Sequence, residues 1–214
     1  MKRKNWLSWV TMLVLGMFIA MSCGGGCDAP IVDDTSEEEP PPPGPEPDHL
    51  PEGNWTDTGN YDTTWYLDGK YEITNAKELA GLTKLVNDGT DNFTDKTIRI
   101  VNDIDLGAHY WIPIGFTNPV RFSGTFNGHG FEIRNMIVKM EQSDNFLYPG
   151  LFGHNSGTIK DVHLTDVSVS GNNTGTSGGS WAGGFVGWNV GTITGCTVSG
   201  SVSAFNSNSY DALA

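Results

Sequence analysis

Three kinds of hydrophobic spacing follow one another along this chain. From Trp6 to Met21 nearly every residue is apolar, broken mainly by Ser8, Thr11 and Gly16. Further on, Leu79, Leu82, Leu85 and Val86 recur at the three-and-four spacing of one helical face. Asn75 followed by Glu78 fits a capping box, and Asn87-Asp88-Gly89 ends the run, so the spacing predicts a helix over 76–87. From Lys96 the period shortens. Thr97–Val101, Ile104–Leu106, Phe122–Asn127 and Phe131–Val138 are brief β-prone pieces broken by Gly, Asn and Asp.

The last of these patterns repeats. Gly150-Leu151-Phe152-Gly153-His154-Asn155-Ser156-Gly157-Thr158-Ile159 returns thirty-four residues later as Gly184-Phe185-Val186-Gly187-Trp188-Asn189-Val190-Gly191-Thr192-Ile193. The apolar rhythm Ile159, Val162, Leu164 is matched by Ile193, Cys196, Val198, and Ile133, Met136, Val138 have the same spacing. Self-similarity at such a period marks stacked repeats, in which each unit needs a neighbour to cover its apolar face. Like residues of successive coils then form columns, each inward side chain contributing about 1.5–3 kcal/mol when fully buried. Ile159→Asp is expected to unfold this region. The glycines are expected at sharp turns or positive φ, with Asn155 and Asn189 tolerating the left-handed region and stacking their amides in a ladder.

The fold class is therefore mainly β, a right-handed parallel β-helix with one N-terminal capping α-helix. A sandwich would show longer, more evenly spaced strands without in-register identity. The organisation reads as a signal peptide over 1–22, an acidic Pro-rich tether over 23–53, and a cap with its helix over 54–95. Coils then run over 96–214, with the repeats at 150–171 and 184–204. Trp55, Tyr61 and Trp65 are expected to pack within the cap.

Charge sharpens the picture at the N-terminus. Lys2, Arg3 and Lys4 precede the first apolar run, as in a secretory signal. The run ends at Ala20-Met21-Ser22-Cys23-Gly24, which is similar to a bacterial lipobox, with Ala20 where leucine is usual. Cys23 is the expected lipidation site; ordinary cleavage near Ser22 and a retained anchor are the other readings. The formal charge is −13, and residues 28–69 hold twelve acids without Lys or Arg. The proline run Pro40–Pro47 and the repelling Glu37, Glu38 and Glu39 make this a semi-rigid spacer. No basic patch exists for nucleic acid. Cys27 lies in the Gly-rich start, and Cys196, equivalent to Val162, is expected as a buried small hydrophobe rather than a nucleophile.

The repeated decapeptides resemble the GLUG-motif family of bacterial surface proteins. Their pattern of Gly-apolar-apolar-Gly-aromatic-Asn-x-Gly-Thr-Ile fits both copies, with His154 in the aromatic place once. The lead-in is similar too, through Tyr71–Asn75, Glu78–Ala80, Asn102–Leu106, Trp111–Gly115 and Phe122–Gly130. The resemblance covers about residues 65–203. It implies a β-helical segment like those of adhesin-like surface proteins and of the non-catalytic N-terminal part of some immunoglobulin A proteases. It supplies no catalytic residues, and the zinc motif HExxH is absent. Related chains usually carry more repeats. The stop at Ala214 without a recognisable cap near Ser201–Phe205 therefore implies a fragment or early-terminated product, or a final edge covered by a partner.

Candidate chemistry is sparse. Asp103 and Asp105 share one face of a short strand and would suit acid–base work or calcium, but solvating an outer face is their ordinary use. His129 sits in a glycine-flanked turn with no local partner, and Glu132 and Arg134 read as the wet side of a strand. More telling are two inserts, Glu141–Pro149 and Gly171–Ser180, each just before a Gly-apolar-apolar-Gly turn. Stacked coils would set them at one corner and bring Phe146, Tyr148 and Trp181 to one side, a platform for sugars or extended peptides unless the rings tuck under their own loops.

The function read from the chain is a lipid-anchored, adhesin-like module at the outer membrane and cell surface. It would bind a glycan or protein ligand without catalysis, metal or cofactor. A glycan-processing β-helix enzyme and a non-binding stalk of a larger surface protein are the alternatives.

Overall fold

A computed structural model describes residues 51–117, 119–207 and 214. The expected signal peptide, the lipidation site Cys23 and the tether up to residue 50 lie outside them. The elements in chain order are β1 (Glu72–Ile73), α1 (Ala76–Asn87), β2 (Thr97–Ile100), β3 (Ile104–Asp105), β4 (Thr125–Asn127), β5 (Glu132–Arg134) and β6 (Ile137–Gln142). They continue with β7 (Phe152–Asn155), β8 (Thr158–Lys160), β9 (His163–Asn173), β10 (Val186–Asn189), β11 (Thr192–Thr194) and β12 (Thr197–Asn206).

These strands form a parallel β-helix of about three turns. Every paired strand is parallel to its neighbour, and the ladders run β1-β2-β4-β8-β11, β7-β10 and β3-β5-β9-β12, with β6 also on β9. One core column holds Ile98, Phe126, Ile159 and Ile193. A second holds Ile104, Ile133, Leu164 and Val198, and a third Val138, Val169 and Val202.

The two decapeptides stack with the expected offset: Trp188 lies beside His154, Asn189 beside Asn155 and Ile193 beside Ile159. The third copy of the rhythm is displaced from its expected place. Phe126, not Ile133, pairs with Ile159, while Ile133 pairs with Leu164 and Val138 with Val169. Ile133 lies in β5, on the ladder of β3 and β9, whereas Ile159 lies in β8, on the ladder of β4, so the two belong to different faces of the coil despite their shared spacing.

The repeat glycines also serve a purpose other than expected. None of Gly150, Gly153, Gly157, Gly184, Gly187 and Gly191 has positive φ. What they provide is close approach between coils. A Cβ on Gly153 would come within 2.6 Å of the Gly115 carbonyl oxygen; one on Gly157 would strike the Gly124 carbonyl, and one on Gly191 that of Gly157. Asn155 and Asn189 likewise stay out of the left-handed region. Their amides do form the ladder: Asn155 Nδ2 donates to Asn189 Oδ1 at 2.8 Å. Each Oδ1 also accepts from the backbone N–H two residues on, at Gly157 (3.1 Å) and Gly191 (3.2 Å). Positive φ is taken instead by other coil residues, among them His129, Asn135, Asp144, Asp161, Asp166 and Gly195.

At the N-terminal end, α1 has the expected bounds. Asn75 Oδ1 accepts from the Glu78 N–H at 3.1 Å, and Glu78 reaches back to the Thr74 N–H at 2.6 Å. Leu79, Leu82 and Val86 join one continuous core with the coils. The cap aromatics pack there as well: Trp55 donates its indole N–H to the Leu106 carbonyl at 3.0 Å, and Trp65 stacks on Phe93 at 6.0 Å. At the other end β10, β11 and β12 are each the last strand of their ladder. Ile193 is 39% exposed there and Val198 48%, whereas Ile159 and Leu164 beneath them are buried.

Candidate binding surface

Strands β6 and β9 carry the two inserts to one level. They pair in register from Ile137 with Ser168 to Gln142 with Asn173, so both inserts leave at the same height. The loops are then clasped. Asp144, in the left-handed region, accepts from the Thr176 and Ser177 N–H groups at 2.7 and 3.1 Å. Asn173 Nδ2 donates to the Asn145 carbonyl at 2.6 Å, and the Trp181 N–H to the Leu147 carbonyl at 3.0 Å. Backbone N–H donors hold the Asp144 carboxyl below its ordinary value.

This clasp brings Phe146, Tyr148 and Trp181 together, as the stacking of inserts implies. Trp181 lies nearly parallel to both lower rings, 4.9 Å and 20° from Phe146, 5.5 Å and 19° from Tyr148. Two further rings complete the cluster: Tyr148 meets His154 at 4.1 Å, and Trp188 packs edge-on to Trp181 at 5.7 Å and to Tyr148 at 6.2 Å. The rings bridge two loops rather than tucking under their own. Their exposure is uneven. Phe146 and Trp188 are each 47% exposed and Trp181 is partly so, while Tyr148 is only 8% exposed and serves as support.

Beside the rings lies an open hollow of about 410 Å³, lined by Arg121, Tyr148, His154, Trp181 and Trp188 among others. A second hollow of about 280 Å³ shares Phe146 and Tyr148 and is otherwise lined by Phe116, Thr117, Met140, Gln142 and Asn145. His154 Nδ1 donates to the Gly115 carbonyl at 2.9 Å. Burial pushes the His154 pKa down; the hydrogen bond to Gly115 opposes this, and the nearby Arg121 charge adds to the fall. Burial raises the Tyr148 hydroxyl, which stays protonated.

Arg121, His154 and Trp188 are the members that reading the sequence missed. His154 and Trp188 occupy the same motif place in successive copies, which was a usable signal; Arg121 enters from another turn and had none.

The other candidates have structural roles. Asp103 Oδ1 accepts from the Glu132 N–H at 2.9 Å. Burial pushes the Asp105 carboxyl up, but the Gly107 N–H, Asn135 and Arg134 outweigh it and hold the group below its ordinary value. Arg134 lies 3.1 Å from Asp105 and 3.9 Å from Glu132, on the wet side as expected. His129 has φ +52° in its turn and donates its N–H to Asn127 Oδ1. Cys196 is half-buried rather than buried, because it lies between β11 and β12, the last described strands of their ladders; its Sγ is 3.2 Å from the Thr194 carbonyl, and burial raises its pKa. Among the described residues no three His, Cys, Asp or Glu side chains converge as a metal site.

No known family profile matches the chain. It is similar to halomucin of Haloquadratum walsbyi, with 29% identity over 145 residues, covering 63% of this chain and 1% of halomucin. The match thus spans about one hundredth of halomucin's length. Among solved structures it is similar to a candidate immunoglobulin A1 protease from Bacteroides ovatus at 20% identity, covering 61% of this chain and 38% of that one, with a TM-score of 0.42.

Proposed function

We propose that this chain is a cell-surface, adhesin-like β-helix that binds a glycan at the aromatic corner, without catalysis. The observation that carries the reading is the ring cluster clasped across two coils, which leaves Phe146 and Trp188 open beside a hollow. Flat apolar faces bordered by a few fixed polar groups suit a sugar ring, whose C–H face stacks while its hydroxyls find donors and acceptors. Phe146, Trp181 and Trp188 are the contact residues, and Tyr148 holds Trp181 in place. Among the described residues, no carboxylate lines the hollow to act as the acid or base of glycoside cleavage.

Lipid on Cys23 would fix the module to the outer membrane, and the acidic, proline-rich tether would lift it clear of the surface. On a glycan array, wild-type protein should bind a restricted set of saccharides, and Trp181→Ala should lose them; binding left unaltered by that change discards the corner. Anchoring has a separate check. Cys23→Ser should abolish metabolic labelling with palmitate and release the chain from the membrane fraction, and retained labelling rules it out.

A further inference from the structure

Among the described residues that line the hollow beside the rings, Arg121, which is exposed, carries the one formal charge, and none is Asp or Glu. The hollow that shares Phe146 and Tyr148 is lined by uncharged residues throughout. Among the described residues lining these two hollows, Arg121 is the one Lys, Arg, Asp or Glu; the Asp144 carboxylate lies in the neighbouring loop clasp and is taken up by the Thr176 and Ser177 N–H groups.

Arg121 also differs from most cations of the fold. Lys84 rests on Asp88, Lys96 on Asp91, Arg99 on Glu72 and Arg134 on Asp105. No carboxylate among the described residues pairs with Arg121, whose guanidinium makes one long contact, Nε to the Pro119 carbonyl at 3.4 Å. Lys77, Lys139 and Lys160 line neither hollow. The backbone at Arg121 is nevertheless well held. The next residue, Phe122, is fully buried and donates its N–H to the His154 carbonyl at 3.1 Å. A free guanidinium on a rigid base beside aromatic faces is a receptor for a planar anion, since its forked N–H groups match both oxygens of a carboxylate.

We infer that the hollow takes an acidic saccharide, its ring on Trp181 and Trp188 and its carboxylate on Arg121. This rests on the glycan reading above and adds the ligand's charge. The long-range field of an acidic chain disfavours anionic ligands, so the selection is local, by the Arg121 guanidinium at contact distance.

Two matched pairs of probes test it by calorimetry: a galacturonic acid trimer against its methyl ester, and sialyllactose against lactose. In one pair the acidic sugar should bind about tenfold tighter than its neutral partner, as a charge-assisted bidentate contact supplies. Which pair responds tells a uronic acid from a sialic acid. Arg121→Gln should erase that preference and its salt dependence, bringing the acidic sugar to the affinity of its neutral partner, whereas Trp181→Ala should weaken both members. Equal binding within both pairs, or a preference that survives in Arg121→Gln, overturns the inference and leaves the glycan reading standing. Failure of both acidic sugars to bind also overturns it, whatever neutral saccharides the array returns.

Discussion

The two glycine-rich coils have nearly the same sequence and different surroundings. Ile159, Leu164 and His154 in the first are buried; Ile193, Val198 and Trp188, their partners one coil on, are 39%, 48% and 47% exposed. The N-terminal end of the stack is closed by α1 and the cap aromatics, while β10, β11 and β12 are ladder-end strands. The same apolar residue is therefore core in one copy and surface in the next. The comparison teaches that a solenoid repeat encodes a contact with its neighbours, and each side chain contributes only where the neighbour is present.

The sharpest way to break this comparison is a matched pair of charges. Ile159→Asp should cost more than about 4 kcal/mol, since it leaves an unpaired carboxylate in the dry column, and should unfold the coils. Ile193→Asp should cost about 1 kcal/mol or less, because water reaches it. Thermal melting followed by circular dichroism reads both, and equal losses would contradict the inside–edge distinction.

Glycine substitutions should behave in the opposite way. Gly157→Ala and Gly191→Ala each force a methyl onto the carbonyl of the coil beneath, so both should lose about 1–3 kcal/mol of stability. An innocuous Gly191→Ala would show that the last coil is looser than its pairing indicates. The amide ladder gives a smaller contrast. Asn155→Ala removes a buried donor and acceptor and should cost about 1–3 kcal/mol, while the exposed Asn189 should cost about 1 kcal/mol or less in urea titration.

The smallest effect is on acid stability. Asp105 is lowered in the fold, so its contribution is complete above the unfolded carboxyl value of 3.8 and is lost as pH falls through the folded value. Its side chain is 49% exposed, so screening by solvent limits the effect to under about 1 kcal/mol. Asp105→Asn should therefore flatten the fall of Tm on acidification slightly, and a slope identical to wild type would show that the carboxylate contributes nothing.

Much of this was legible because it is local or repeated. The capping box and helical period placed α1 to the residue, since both act within one or two turns. Identity between the two decapeptides placed the coil register, since parallel stacking aligns like with like. The corner of Phe146, Tyr148 and Trp181 followed from two inserts at equivalent points of successive turns. The lower rung was misread because turns differ in length: the pairing offset is 33 residues at Phe126 and Ile159, but 31 at Ile133 and Leu164. The glycines were misread because a residue without a side chain gives the same sequence signal for a turn and for a close approach.

By its own pattern the chain determined a stacked parallel β architecture, its helical cap and the loops that meet at one corner, because apolar spacing and repeat identity are properties of sequence distance. Only the tertiary structure decided which copies of the rung are dry, that Tyr148 supports while Trp188 is presented, and that Arg121 stands beside them with no carboxylate partner among the described residues. Those depend on what lies one coil above or below, and the length of each turn, summed around the solenoid, sets that neighbour.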